Sequence, residues 1–253
     1  QIFFWSVNLG LRYRLNSKYR YFYNFKLKIA RKLIFSKWKE GLGGNLDLMV
    51  SGSAALQTRL TRTFAAAGMP IMEGYGLTET SPVISVNDMR HGGFRVGTVG
   101  RIIDNVEVKI AEDGEILIKG PNVMMGYYKN QEATNEVFDA EGWFCTGDIG
   151  TFQEDKFLKI TDRKKELFKT SGGKYVAPQP IENKCKESQF IEQFMVVGAD
   201  RKFVGALIVP SFGTLKTWME EEGINYTTNA EAVAHPKVIE LFTSIIAEYN
   251  TFF

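Results

Sequence analysis

The segment Gly74-Tyr75-Gly76-Leu77-Thr78-Glu79-Thr80 gathers residue types that can hold a nucleotide. Glycines let a backbone approach a ligand closely. Tyr75 offers a flat face for stacking on a purine. The Thr78 hydroxyl suits a phosphate or carboxylate oxygen, and Glu79 is a hard oxygen ligand of the kind Mg2+ takes on a nucleotide. The same seven residues also make an ordinary structural turn, so local chemistry leaves both readings open. A second cluster, Trp143-Phe144-Cys145-Thr146-Gly147-Asp148, places an acid beside a glycine at a predicted strand end. Such an acid can bind both hydroxyls of a ribose, or it can cap its own turn. A third runs from Ile160 to Tyr175, where Arg163, Lys164, Lys165, Lys169 and Lys174 surround Gly172-Gly173. Cations there can neutralise phosphate charge, and an arginine can reach ribose oxygens. They equally suit a solvated turn between domains.

The elements that must position these clusters are legible from periodicity. Residues 18–40 read as a helix, with Leu27, Ala30, Leu33 and Ile34 at helical spacing and Gly41–Gly44 ending it. Leu46–Val50 reads as a strand, followed by the small-residue loop Ser51-Gly52-Ser53. A helix follows with Leu56, Leu60 and Phe64 on one face and Gly68 as its stop. Pro70–Met72 is the next strand, with residues 73–76 expected as its loop. This alternation predicts a parallel α/β layer, in which ligands sit beyond the carboxyl ends of strands. From Gly97 the texture becomes short strands with glycine turns: Val106–Ile110, Ile116–Ile118, and 143–161 ending on Phe157–Ile160. That pattern predicts a small β-barrel or sandwich. Beyond Asp162-Arg163-Lys164-Lys165, helices are expected at 181–186, 213–222 and 236–249, with strands at 194–197 and 206–209.

Composition narrows the classes. Hydrophobic residues make up 44% and charged residues 24% of the 253, which is ordinary for a globular chain. No run of eighteen apolar residues occurs, so no transmembrane helix is expected. Cys145 and Cys185 stand apart, as do His91 and His235, which argues against a disulfide framework, a zinc site or a Cys–His nucleophile. Net charge is +2, but residues 1–40 hold ten cations and one acid, leaving −7 for the remainder. Aromatics are interleaved there, among them Tyr21, Phe22, Phe25 and Trp38. This segment suits either a helix with a solvated basic face or contact with a membrane surface. No nucleic-acid reader motif accompanies it, so nucleic acid is not an expected partner. The chain begins with Gln1 rather than Met, which suggests a piece of a longer protein.

Taken together, the order and spacing of the three clusters resemble the adenylate-forming superfamily, and most closely its long-chain acyl-CoA synthetase branch. Stretches 73–82, 115–129, 161–181 and 190–197 carry the resemblance, which extends from about Lys26 to about Pro210. The resemblance implies a multi-domain α/β fold. Residues 1–162 would be the C-terminal part of the large AMP-binding domain, with 1–90 as α/β layer and 91–162 as β-barrel. Residues 163–253 would be a small mobile α+β domain, truncated.

The resemblance also implies roles. Ser51, Gly52 and Ser53 would line the adenine pocket, Ser53 standing where glycine is expected. Glu73, Gly74, Tyr75, Gly76 and Ile160 would join them in the nucleotide site, with Tyr75 stacking on adenine. Thr78 would contact phosphate and carboxylate, Glu79 would hold Mg2+, Asp148 the ribose diol, and Arg163 the ribose edge. Lys165 would be the hinge and Lys169 a catalytic-loop cation, with Gly172, Gly173 and Lys174 meeting coenzyme A. Cys145 falls where relatives often have histidine, with no catalytic role attached. The implied reaction activates a long-chain fatty acid with ATP to acyl-AMP and passes it to coenzyme A in a cytoplasmic enzyme able to sit peripherally at a membrane. Another adenylating enzyme, such as an aryl-CoA ligase or a peptide-synthetase adenylation domain, or a non-enzymatic membrane-surface fragment, are the alternatives. The family's Ser/Thr/Gly-rich phosphate loop occurs nowhere in residues 1–253, and its late lysine would lie beyond Phe253. This chain alone is therefore expected not to turn over.

Overall fold

The computed structural model describes residues 2–14 and 21–253. The start of the helix predicted at 18–40 lies outside the described residues. From Tyr21 the helix forms as α2 (Tyr21–Ala30), a five-residue π-helical turn (Arg31–Phe35) and α3 (Ser36–Gly41). An unpredicted helix, α1 (Ile2–Leu11), precedes it. Its apolar residues run all round rather than along one stripe, so no helical period marks it. Helix α4 (Thr58–Ala67) ends on Gly68, whose φ of 86° is the left-handed conformation that closes helices. Leu9, Leu27, Ala30, Phe35, Ala66 and Met69 form one core among these helices.

The chain divides into two compact units, residues 1–160 and 161–253. In the first, β1 (Met49–Ser51) pairs in parallel with β2 (Ile71–Gly76), and α4 is the crossover between them. The strand predicted at 46–50 is shifted toward Ser51, because Met49 must register with Ile71. Strand β2 continues antiparallel onto β3 (Val83–Val86), which pairs with β4 (Arg101–Ile102). Residues 73–76 are therefore strand, not the loop expected from their small side chains. Their backbone groups are taken up by β3, with Gly74 opposite Val86 and Tyr75 opposite Ser85. Gly76 is where strand and turn come closest: a Cβ there would lie 1.7 Å from the Pro82 carbonyl oxygen.

A second sheet in the order β5 (Glu107–Ile110), β6 (Glu115–Lys119), β7 (Phe144–Gln153) and β8 (Phe157–Arg163) carries the barrel-like texture. Ile84, Ile116, Ile118, Phe144 and Leu158 form its core, with Tyr75 and Leu77 packed against it. An unpredicted short helix, α5 (Gln131–Glu136), is capped by Asn130, whose side chain accepts from Ala133 N–H. The second unit contains the hairpin β9 (Phe168–Lys169) and β10 (Tyr175–Val176), then α6 (Pro178–Cys185). The antiparallel pair β11 (Ile191–Val197) and β12 (Gly205–Pro210) follows, with α7 (Phe212–Glu221), α8 (Asn229–Ala234) and α9 (Pro236–Asn250).

Candidate functional site

In the first unit, two of the motifs meet. The Tyr75 hydroxyl donates to Asp148 Oδ2 at 2.6 Å, across 73 residues of sequence. A bulge makes this possible. Leu117 pairs with Cys145 and Glu115 with Ile149, so β7 carries two extra residues opposite Ile116. Gly147 takes φ 74° within the bulge, and extra residues re-aim the side chains beside them. Asp148 thus sits inside a strand rather than at a strand end, and it is buried. The bulge has its own scaffold: Thr146 Oγ1 donates to Ile116 O at 2.8 Å and accepts from Asp148 N–H at 3.1 Å. The Gly147 N–H donates to Glu115 Oε1 at 2.8 Å. Glu115 is a buried acid that opens β6, directly before the apolar run Ile116-Leu117-Ile118. That acid, at the head of stretch 115–129, was the available sequence signal, though no role was attached to it.

The parallel pair brings the other small-residue segment alongside. Ser51 registers with Glu73, and a Cβ on Gly52 would lie 3.6 Å from the Gly74 carbonyl oxygen. Ser53 holds φ 67°, a left-handed conformation that explains why glycine is the expected residue there. Glu73 is buried, and its carboxyl accepts from Thr61 Oγ1 on α4 at 3.2 Å. Burial pushes this carboxyl up to about 7, against the opposing pull of the Thr61 hydrogen bond. Its side chain is thus engaged with α4, and what it presents along the strand is backbone.

Thr78–Thr80 form a single 3₁₀ turn after β2. Thr80 Oγ1 accepts from Leu77 N–H at 3.0 Å and donates to Pro82 O at 2.7 Å, which holds the turn shut. Thr78 is exposed and Glu79 half-buried. A segment within stretch 115–129, to whose residues no role was attached, braces this turn. Asn122 Nδ2 donates to both Thr80 O and Val83 O at 3.0 Å, Met124 N–H donates to Glu79 O at 2.8 Å, and Tyr127 Oη donates to Glu79 Oε1 at 3.0 Å. Burial, followed by the Glu79 hydrogen bond and charge, raises the Tyr127 phenol above its ordinary value, so it remains a donor at neutral pH. Ile160 is half-buried on β8 and packs against the core that Tyr75 joins.

The remaining predicted residues belong to the second unit. Arg163 ends β8, and Lys164 and Lys165 follow in the turn; all three are exposed, and Glu166 N–H donates to Arg163 O at 3.0 Å. Beside them Asp162 is almost fully buried and accepts from Arg163 N–H at 2.7 Å. Burial raises its carboxyl above the ordinary range. Lys169 pairs with Tyr175 across the hairpin, its Nζ 4.5 Å from the ring centroid. Gly172, Gly173 and Lys174 form the exposed hairpin loop, closed by Thr170 N–H on Lys174 O at 3.0 Å.

The donor set suits the implied groups. Among the described residues no cluster of three or more His, Cys, Asp or Glu can hold a metal by itself. Mg2+ on a nucleotide needs only one or two carboxylates, with phosphates supplying the rest, and Glu79 fits that requirement.

Comparisons with known proteins identify the family. The model of the AMP-binding enzyme family matches residues 16–128, and that of the AMP-binding enzyme C-terminal domain matches residues 166–249. Long-chain-fatty-acid–CoA ligase FadD15 of Mycobacterium bovis is 42% identical over 195 residues, 77% of this chain and 32% of that protein. Long-chain-fatty-acid–CoA ligase 1 of Homo sapiens is 39% identical over 205 residues, 76% of this chain and 29% of that protein. Among solved structures, ATP-bound MatB from Rhodopseudomonas palustris superposes with a TM-score of 0.61 at 29% identity, covering 75% of this chain and 40% of that one. The o-succinylbenzoate CoA synthetase of Bacillus subtilis, in complex with its acyl-adenylate intermediate, gives 0.59 at 25% identity, covering 74% and 43%. The chain spans about a third of the length of the curated relatives it matches. With the two models together matching well over half of its residues, the chain belongs to the AMP-binding enzyme family, and its relatives include long-chain fatty-acid–CoA ligases.

Proposed function

We propose that this chain is the part of an AMP-forming long-chain fatty-acid–CoA ligase that carries the ribose-facing and adenine-facing wall and the small domain. ATP, a fatty acid and coenzyme A are the substrates of the whole enzyme in this reading. The observation that carries it is the Tyr75–Asp148 hydrogen bond, which joins two motifs far apart in sequence at one buried acid. Asp148, oriented by Tyr75, binds the ribose diol. The 51–53 and 73–76 strand ends flank the base, and Thr78 donates to the phosphate or carboxylate oxygen. Mg2+, held by Glu79, neutralises phosphate charge when bound. Arg163, Lys169 and the Gly172–Lys174 loop serve from the small domain, with Lys165 as the hinge.

Calorimetric titration with a non-hydrolysable fatty acyl-AMP analogue tests this. Binding should weaken at least tenfold in Asp148→Ala, about 1.4 kcal/mol. Equal affinity in both proteins would remove Asp148 from the site. Because residues 1–253 contain no Ser/Thr/Gly-rich phosphate loop, the chain should bind adenylate without turnover. ATP- and CoA-dependent thioester formation that vanishes in Asp148→Ala would overturn that part. Tighter binding of an aryl-AMP or aminoacyl-AMP than of a fatty acyl-AMP would favour the other adenylating classes.

A second observation supports contact of a cytoplasmic, peripheral enzyme with a membrane. Phe22, Phe25, Ile29 and Leu33 form an exposed stripe along α2 and the π-helical turn, bordered by Lys26, Lys28 and Lys32. The opposite face, Leu27, Ala30 and Phe35, is buried in the core. An apolar stripe edged by lysines matches an anionic bilayer surface. Co-sedimentation with phosphatidylserine vesicles should fall with salt and with Lys26, Lys28 and Lys32 changed to Gln. Binding indifferent to both would exclude it.

A further inference from the structure

Glu79 stands on a turn of only three residues, and a glutamate side chain has three rotors to fix before it can hold anything. The structure supplies the fixing from a segment 43 to 48 residues downstream. The Asn122 carboxamide ties the turn's last carbonyl to Val83 O, and Met124 N–H ties down the Glu79 carbonyl itself. Tyr127 then reaches the side chain, its Oη 3.0 Å from Glu79 Oε1. Tyr127 is in turn held by its backbone: its N–H donates to Thr134 Oγ1 at 2.9 Å, and its carbonyl accepts from Asn130 N–H at 3.1 Å. Thr134 Oγ1 donates to Asn130 O at 2.8 Å, so the start of α5 anchors the tyrosine. Close packing reinforces the anchor, since a Cβ on Gly126 would lie 2.7 Å from Thr134 Cγ2. The phenol engages one carboxylate oxygen, and Oε2 makes no hydrogen bond to the described residues.

We propose that Tyr127 is a positioning residue for Glu79: its hydroxyl holds Oε1 so that Oε2 faces a metal–nucleotide ligand in one orientation. This rests on the reading of Glu79 as the acid that meets Mg2+ on the nucleotide. The phenol stays protonated throughout. It supplies a hydrogen bond to a charged acceptor, a stronger bond than a neutral pair makes. Removing the hydroxyl leaves the ring, the backbone anchors and the turn in place. A merely structural tyrosine would therefore lose little, and a positioning one would lose metal dependence.

Two measurements on the chain decide it. In the first, ATP binding is titrated at stepped Mg2+ concentrations, with AMP in EDTA as the metal-free control. Tyr127→Phe should raise the Mg2+ needed for half-maximal ATP binding about threefold or more, while AMP affinity stays within about twofold. Unchanged Mg2+ dependence overturns the proposal. The second needs no nucleotide: the ring ζ-carbon resonance of Tyr127, followed at neutral pH by NMR of ring-labelled tyrosine, should shift in Glu79→Ala, because it reports the hydroxyl's hydrogen bond. If it does not move, the contact does not exist and the proposal fails. Should the parent bind neither ATP nor AMP, the nucleotide reading falls separately, and the Tyr127 ring resonance alone then sustains or removes the positioning of Glu79 by Tyr127.

Discussion

At the scale of single residues, Glu73 is the group whose protonation matters most to the fold. Its folded carboxyl titrates at about 7 against an ordinary 4.5, because burial disfavours the anion more than the Thr61 hydroxyl favours it. The raised value fixes the sign: the stabilisation is fully present below 4.5 and is lost as pH rises toward 7. Glu73→Gln keeps the shape and the acceptor for Thr61 but cannot ionise. Urea unfolding at pH 5 and pH 8 should show the parent losing stability on the order of 3 kcal/mol more than this variant. Parallel pH profiles would mean that the carboxyl is better solvated than its burial indicates. Glu73 also shows why residue type alone is a poor guide. The resemblance implies a place in the nucleotide site for Glu73, and its side chain bonds α4, which leaves its backbone along the strand.

At the scale of elements, the candidate site is built by two irregular strands. Strand β2 shifts register against β3 between Tyr75 and Gly76, and β7 shifts against β6 around Gly147. Both irregularities sit beside the motifs. Regular strands send successive side chains to opposite faces, and a bulge changes that alternation. Gly76 and Gly100 are the backbone contacts that hold the first sheet. A Cβ on Gly100 would lie 2.0 Å from the Val86 carbonyl carbon, at φ 86°. Gly76→Ala and Gly100→Ala should each cost more than about 3 kcal/mol in urea unfolding, since backbone must move to admit the methyl group. Gly41→Ala, at the exposed end of α3 with nothing within 4 Å, should change stability by less than about 1 kcal/mol. A similar loss at all three positions would show that steric approach is not what selects glycine in β2.

At the scale of the whole molecule, each unit owns its cores. Residues 161–253 hold two, one around Phe194 and Ile245 and one around Leu215 and Met219. The division falls within β8, between Ile160 and Thr161, and the exposed cations 163–165 follow it. Leu215 is 1% exposed, so Leu215→Ala should cost about 2–5 kcal/mol in its own unit. Differential scanning calorimetry should then show one transition lowered and the other unchanged. A single transition moving as a whole would mean that the two units unfold together. No helix of the described residues is long and apolar enough to cross a membrane.

The sequence by itself determined which residues are able to do chemistry. Tyr75, Thr78, Glu79, Asp148 and the cations after Asp162 were legible because their types, glycine neighbours and order are local properties of the chain. Helices α4, α7 and α9 and strands β5 and β6 were legible for the same reason, since side-chain period is local. Only the tertiary structure decided what these residues touch. Tyr75 meets Asp148 across 73 residues, Tyr127 meets Glu79 across 48, and Glu115 meets Gly147 across 32. Each of these contacts depends on a register, a bulge or a left-handed glycine, and packing between distant strands selects those, not the propensity of the residues themselves.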